Sequence, residues 1–327
     1  MECRRRGGDA RLGRADGIRA ARAACVRRMA QPGGHDRSVL RAGRIEADPA
    51  RPRGGHRARH RVRDLGRDGL AMMATNASAL LAEDPAVRST VQVISLRRSH
   101  ARRHAFRANN PHLDFEFVDA IDGRALSDAD LAASGLFAPG LPYTRGAFGI
   151  AMTTHRLWTD IASDSELVTI AEDDAIFRPD FHDATLQFLR DNLGCHDFVA
   201  WGYNFDSILR GSIFNSRTPV TMRFDEAALT DAIGDFLNDR GPVLVMNLLE
   251  FYGICAYTIS PAGARFLLDR CFPLQPEMLY SHGLGRTMPN CGIDVVMNKF
   301  YGAMRSAATF PPLAVTTNAR ETSTIQV

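Results

Sequence analysis

Apolar positions along the chain change their period several times, and each change predicts an element. Residues 167–177 read Leu-Val-Thr-Ile-Ala-Glu-Asp-Asp-Ala-Ile-Phe, an apolar and partly β-branched run that stops at three consecutive carboxylates. Such a run predicts a strand buried on both faces, as in a parallel sheet. Similar runs at 91–96, 115–118, 197–201 and 252–259 predict four more strands. Residues 146–162 instead place Ala147, Ile150, Ala151, Trp158, Ile161 and Ala162 at three- and four-residue spacings, which predicts a helix with one apolar stripe and His155 at its edge. Further helices are predicted after Ser127, which forms a capping box with Asp130, and over 180–192 with Asp180 at the cap. Others are predicted over about 226–237, from Ser260 with Pro261 at its first position, and after Asp294. The span 207–250 predicts little beyond a hairpin and its one helix. Strands alternating with helices give an α/β fold with a mainly parallel sheet flanked by helices.

Residues 1–86 follow none of these periods. Arg, Gly and Ala dominate them, and apolar surface is too sparse to offset the entropy of ordering. They are predicted to be a disordered Arg-rich extension, leaving 87–327 as the folded domain. Charge divides the same way. Residues 1–70 hold 19 arginines against eight acids, within a formal net charge of +3 for all 327 residues. A basic arm for nucleic acid or anionic lipid, a transit peptide, and translation upstream of a start at Met72 or Met73 all fit this composition. Aromatics do not interleave the arginines, so no nucleic-acid partner is expected. No apolar run approaches the roughly 20 residues of a membrane span, and no secretory apolar core is evident. The expectation is a cytoplasmic protein. Six cysteines without a C-x-x-C spacing predict free thiols in a reducing compartment.

Chemistry concentrates at strand ends. Open α/β sheets bind ligands beyond the carboxyl ends of their strands, where Glu172, Asp173 and Asp174 lie. Three adjacent acids call for a counter-cation. Their hard oxygens suit Mn²⁺ or Mg²⁺, with substrate phosphates completing the shell. A solvated acidic turn is the alternative. Arg97, Arg98, Arg102 and Arg103, just past the first strand, have the chemistry to hold a nucleotide's phosphates. Gly146 and Gly149 open a helix N-terminus, where an anion could dock or another backbone could pack closely.

Taken in order, Val-Ile-Ser-Leu at 93–96, Phe-x-x-Val-Asp-Ala-Ile-Asp-Gly at 115–123, Arg145-Gly-x-x-Gly149, Thr-His155-x-x-Trp and Glu-Asp-Asp-x-x-Phe at 172–177 resemble glycosyltransferase family 25. The likeness runs over roughly 90–327, through Asp294 to Ser323-Thr-Ile325. It implies a GT-A-like fold and a nucleotide-sugar donor, UDP-galactose above all. It also implies Mn²⁺ and inverting hexose transfer to a glycan acceptor such as lipopolysaccharide core. A lipid-linked acceptor would bring the protein to the inner membrane as a peripheral partner. The resemblance puts Ser95, Arg98, Asp119, Arg145, Gly146, Glu172 and Asp173 on the donor, and Asp174 with Glu172 on the metal. Asp294 and Asp206 are candidate bases, and His155 supports the site. In the position after the first strand where the family usually carries an acid, this chain has Arg97. Two other classes fit parts of the pattern. They are a metal-dependent phosphohydrolase built on the acids and a nucleic-acid binder built on the N-terminal arginines.

Overall fold

The computed structural model describes residues 87–316, apart from 193, 207 and 214–217. The Arg-rich extension and Ser323-Thr-Ile325 lie outside the described residues. The chain begins with β1 (Val91–Ser95), α1 (His100–Asn109) and β2 (Phe115–Asp119). A short 3-10 turn (Gly123–Ala125) leads to α2 (Asp128–Ala133), whose Ser127 and Asp130 form the expected capping box. Then come α3 (Arg145–Ser163), β3 (Val168–Glu172), β4 (Ala175–Phe177) and α4 (Phe181–Asp191). The middle of the chain supplies β5 (Phe198–Tyr203), β6 (Ile208–Ile213), β7 (Thr218–Arg223), α5 (Glu226–Asn238), β8 (Leu244–Phe251) and β9 (Ile254–Ile259). The described part closes with α6 (Pro261–Cys271), β10 (Met278–Ser281), β11 (Arg286–Pro289), α7 (Ile293–Met297), β12 (Ser306–Phe310) and β13 (Ala314–Thr316).

The large sheet runs in the order β2-β1-β3-β9-β5-β12-β8-β6-β7, with β13 joining β4 to β5. Strands β2, β1 and β3 are parallel, but β9 lies antiparallel between β3 and β5. Beyond β12, which is parallel to β5, the β8, β6 and β7 pairings are antiparallel. The α/β expectation holds, whereas the mainly parallel sheet is corrected to a mixed one. The cause is that β9 is buried along nearly its whole length. An apolar run of that kind records burial on both faces and carries no information about direction.

Two apolar layers cover the sheet. Alternation along β5 sends Phe198 and Ala200 to one layer and Val199 and Trp201 to the other. In the first, Trp158 of α3 is fully buried, and its indole N–H donates to the Tyr257 hydroxyl at 3.0 Å. Tyr257 in turn stacks on Phe198 at 4.9 Å. In the second, the Trp201 N–H donates to Thr258 at 2.6 Å among Phe177, Phe181 and Phe188. Two buried indoles with their one polar group satisfied fix the helical layers without an unpaired donor. One cap departs from expectation. Asp180 precedes α4, but no side-chain capping bond forms, because its carboxylate is held by the Arg178 guanidinium at 2.7 and 2.9 Å.

Candidate active site

At the carboxyl ends of β1, β2 and β3 the backbone opens into a cleft of about 610 Å³, counted to its open mouth. Its polar lining includes Ser95, Arg98, Arg102, Asp122, Glu172 and Asp173, and Gly146 and Ile150 of α3 close the far side. The wall opposite the acids depends on a close backbone contact. A Cβ on Gly149 would stand 2.5 Å from the Ile121 carbonyl oxygen and 2.7 Å from the Gly123 nitrogen. Gly149 is thus a packing glycine that lets the 123–125 turn sit directly on α3.

Helix α1 holds the acidic turn from both ends. Near its start, Arg102 Nε donates to Asp173 Oδ1 at 2.7 Å, and Arg102 Nη2 lies 2.5 Å from Asp173 and 3.1 Å from Asp174 Oδ2. At its end, buried Asn110 donates to the Ala175 carbonyl at 2.9 Å and accepts from the Phe177 N–H at 2.8 Å. Ser95 Oγ completes the arrangement by donating to Asp173 Oδ2 at 2.6 Å and accepting from Arg103 Nε at 3.2 Å. Both Asp173 oxygens are therefore bonded. Asp174 differs, since its Oδ1 is shut off from solvent and has no hydrogen-bond partner.

Electrostatics follow from this packing. Withdrawal from solvent, then the Asp174 and Asp173 charges, push the Glu172 carboxyl well above its ordinary range. Burial also raises Asp174 against the opposing pull of Arg102. Burial works against the charge on Arg102, and its bond to Asp173 and the nearby Asp174 charge outweigh that. Carboxyls with shifted pKa values beside a cleft are a frequent mark of functional sites.

The other candidates divide into groups. Asp294, in the first turn of α7, accepts the Gly253 N–H at 3.2 Å, and burial raises its carboxyl. Its charge is felt at Glu172, and that of exposed Asp206 is felt at Asp294. Asp119 does not line the cleft and forms a 2.5 Å pair with Arg103, which holds it below the usual carboxylate range. Arg98 lines the cleft and grips Asp122 at 2.6 Å. Arg145 turns instead to the Leu126 carbonyl at 3.1 Å and to Asp128 at 2.5 Å. His155 is half-buried against the edge of Phe272, with ring centres 4.8 Å apart, and burial lowers its pKa. Neither Arg145 nor His155 lines the cleft. Asn110 and Asp122 were not singled out in the sequence. Asp122 had a signal, the turn-forming Asp-Gly pair at 122–123, while Asn110 had none because its partners lie 65 and 67 residues away.

Among the described residues no three acids, histidines or cysteines converge as a metal-holding set. The donors do fit a cation held by one or two carboxylates and completed by substrate phosphates. Asp174 through its unpartnered Oδ1 and Glu172 beside it would hold it, and Asp173 is already engaged.

An α/β sheet with an acid-lined cleft past the ends of its parallel strands has the layout of a ligand site in an open α/β protein. The chain belongs to glycosyltransferase family 25. Residues 89–279 match that family, described as LPS biosynthesis protein. A relative from Aedes aegypti described as "Glycosyltransferase 25 family member" is 34% identical over 127 residues, covering 35% of this chain and 21% of the relative. The matched stretch thus spans about a fifth of that relative's length. The family match includes the cleft, the acids at 172–174 and Asp206, and it ends before Asp294.

Proposed function

We propose that the protein is an inverting hexosyltransferase that moves galactose from UDP-galactose to a glycan acceptor such as lipopolysaccharide core. Family membership supports a nucleotide-sugar donor. The observation that carries the reading is the cleft itself, lined by Arg98, Arg102, Glu172 and Asp173 past the ends of β1 and β3. The same arrangement supports a GT-A-like frame, with donor on the parallel side and acceptor toward α7.

In this reading Arg98 and Arg102 meet the diphosphate, and Ser95 with Asp173 keeps Arg102 in place. A bound Mn²⁺ or Mg²⁺ would supply positive charge to the departing diphosphate. Glu172 and Asp174 provide the oxygens for it. The acceptor hydroxyl must lose a proton as it attacks, and Asp294 is the preferred recipient. Its raised pKa makes it a stronger base than a solvent-exposed aspartate, and the Gly253 N–H fixes the orientation of its Oδ2. Asp206 stands next to it as the second candidate. Attack from the face opposite the leaving group inverts the anomeric centre. Among the described residues no helix is long and apolar enough to cross a membrane. A cytoplasmic protein that meets a lipid-linked acceptor at the inner membrane is the proposed setting.

The test is a screen of nucleotide-sugars with Mn²⁺ against a panel of glycan acceptors, read by mass. A gain of one hexose on an acceptor supports transfer. Release of UMP and sugar 1-phosphate at the same rate with and without any acceptor would overturn it in favour of a phosphohydrolase.

A further inference from the structure

We propose that Arg102 is a counter-cation built into the cleft. It neutralises the acidic turn and, with the same guanidinium, receives a nucleotide's diphosphate, so that nucleotide binding does not rest wholly on a divalent cation. The inference builds on the reading of the cleft as a nucleotide site.

Position comes first. Arg102 leaves the first half of α1, lines the cleft, and keeps about a fifth of its side chain exposed (21%). It is the only arginine placed against two acids of the turn, at 2.5 Å from Asp173 and 3.1 Å from Asp174, among the described residues. Ser95 donates to Asp173 and itself accepts from Arg103, so the carboxylate that orients the Arg102 guanidinium is held in place. A planar guanidinium suits this double task because its donors form a rigid fork matched to carboxylate and phosphate oxygens alike.

Charge decides what happens without it. Arg98 is taken up by Asp122 at 2.6 Å. With Arg102 removed, Asp173 in the cleft lining and Asp174 beside it would lose a paired cation, and a diphosphate entering there would meet like charge. The freed carboxylate oxygens would at the same time be better ligands for a divalent cation. Removing Arg102 should therefore weaken anion binding and strengthen cation binding. Opposite shifts of this kind are not what general loss of structure produces, since that lowers both.

The experiment is calorimetric titration of the wild-type protein, Arg102→Gln and Arg102→Lys. Each is titrated with UDP in EDTA and, separately, with MnCl₂ alone, and melting temperatures are recorded. Arg102→Gln is expected to lose about tenfold or more in cation-free UDP affinity, the worth of one charge-assisted hydrogen bond. It should gain severalfold in affinity for Mn²⁺ alone. Arg102→Lys keeps the charge without the fork and should fall between the two for UDP. Should the glutamine variant not fold, the lysine variant carries the test, with a measurable loss for UDP at an unchanged melting temperature. Equal UDP affinities in all three proteins would overturn the inference and leave the nucleotide reading standing. UDP and Mn²⁺ affinities falling together with the melting temperature would overturn it as well. Absence of UDP binding to the wild type in EDTA would overturn the inference alone, and its absence with MnCl₂ present as well would remove the nucleotide reading too.

Discussion

Two acids about 75 residues apart in sequence are treated in opposite ways. Glu250, at the end of β8, is almost fully enclosed and accepts from the Tyr252 hydroxyl at 2.9 Å, the Gly283 N–H at 2.9 Å and the Ser281 hydroxyl. All its donors are neutral, and they fasten the β10–β11 turn to the sheet. Asp174 has one oxygen on Arg102 and the other unpartnered, beside two further carboxylates. A carboxylate that serves the fold is saturated. Asp174, unlike its saturated neighbour Asp173, is left short of a partner, which costs stability and suits a ligand that supplies the missing charge.

That contrast can be broken by exchange of single groups. Asp174→Asn should lower donor-dependent turnover by roughly 100-fold or more, several kcal/mol of lost leaving-group stabilisation, in a glycosyl-transfer assay. Its melting temperature should stay equal or rise, because an undercompensated charge is removed. Glu250→Leu should do the reverse. With three buried donors stranded, it should destabilise by about 2–3 kcal/mol in urea unfolding, and activity should follow the folded fraction. A large activity loss in a fully folded Glu250→Leu, or an active Asp174→Asn, would erase the distinction.

A smaller effect sharpens it from a basic group. His196 is buried beneath Phe188, with rings 5.5 Å apart, and its Nε2 has no partner. Burial, with Arg305 adding and Asp197 opposing, lowers its pKa from 6.5 to about 4. A depressed histidine contributes stability above its unfolded pKa and loses it as pH falls toward the folded value. The native state should thus weaken between pH 6.5 and 4, by about 2 kcal/mol at pH 5. His196→Phe should flatten that segment of the stability-against-pH curve. The smallest change is expected at the exposed Lys299–Glu277 pair, 2.8 Å long, where Lys299→Ala should alter stability by less than about 1 kcal/mol. That variant serves as the solvent-exposed control.

Much of the frame was legible because periodicity reports burial. The runs that became β1, β3 and β5 and the stripe that became α3 were read within a few residues, and the family followed from the order of the motifs. Two things were hidden. Direction was one, since β9 reads the same whether parallel or antiparallel. Strand β8, with only three of its eight residues buried, merged into the unpatterned 207–250 span, and the β10–β11 hairpin carried no turn signal that separated it from a loop. At the site, the acids and the arginines were each visible as residue types. Their pairing was not, because Arg102 and Asp173 meet across 71 residues and only the folded sheet brings α1 over the acidic turn. Nor could composition separate Asp173, with both oxygens bonded, from Asp174 beside it.

The central claim is that a nucleotide sits at the carboxyl ends of β1 and β2 against α1. Hydrogen–deuterium exchange of the full chain with and without saturating UDP and Mn²⁺ addresses it directly. Slower exchange confined to the backbone around 95–103 and 119–124, with the β10–β11 hairpin unchanged, is the predicted result. Protection centred on the hairpin, or none in the cleft while UDP is demonstrably bound, would contradict the account.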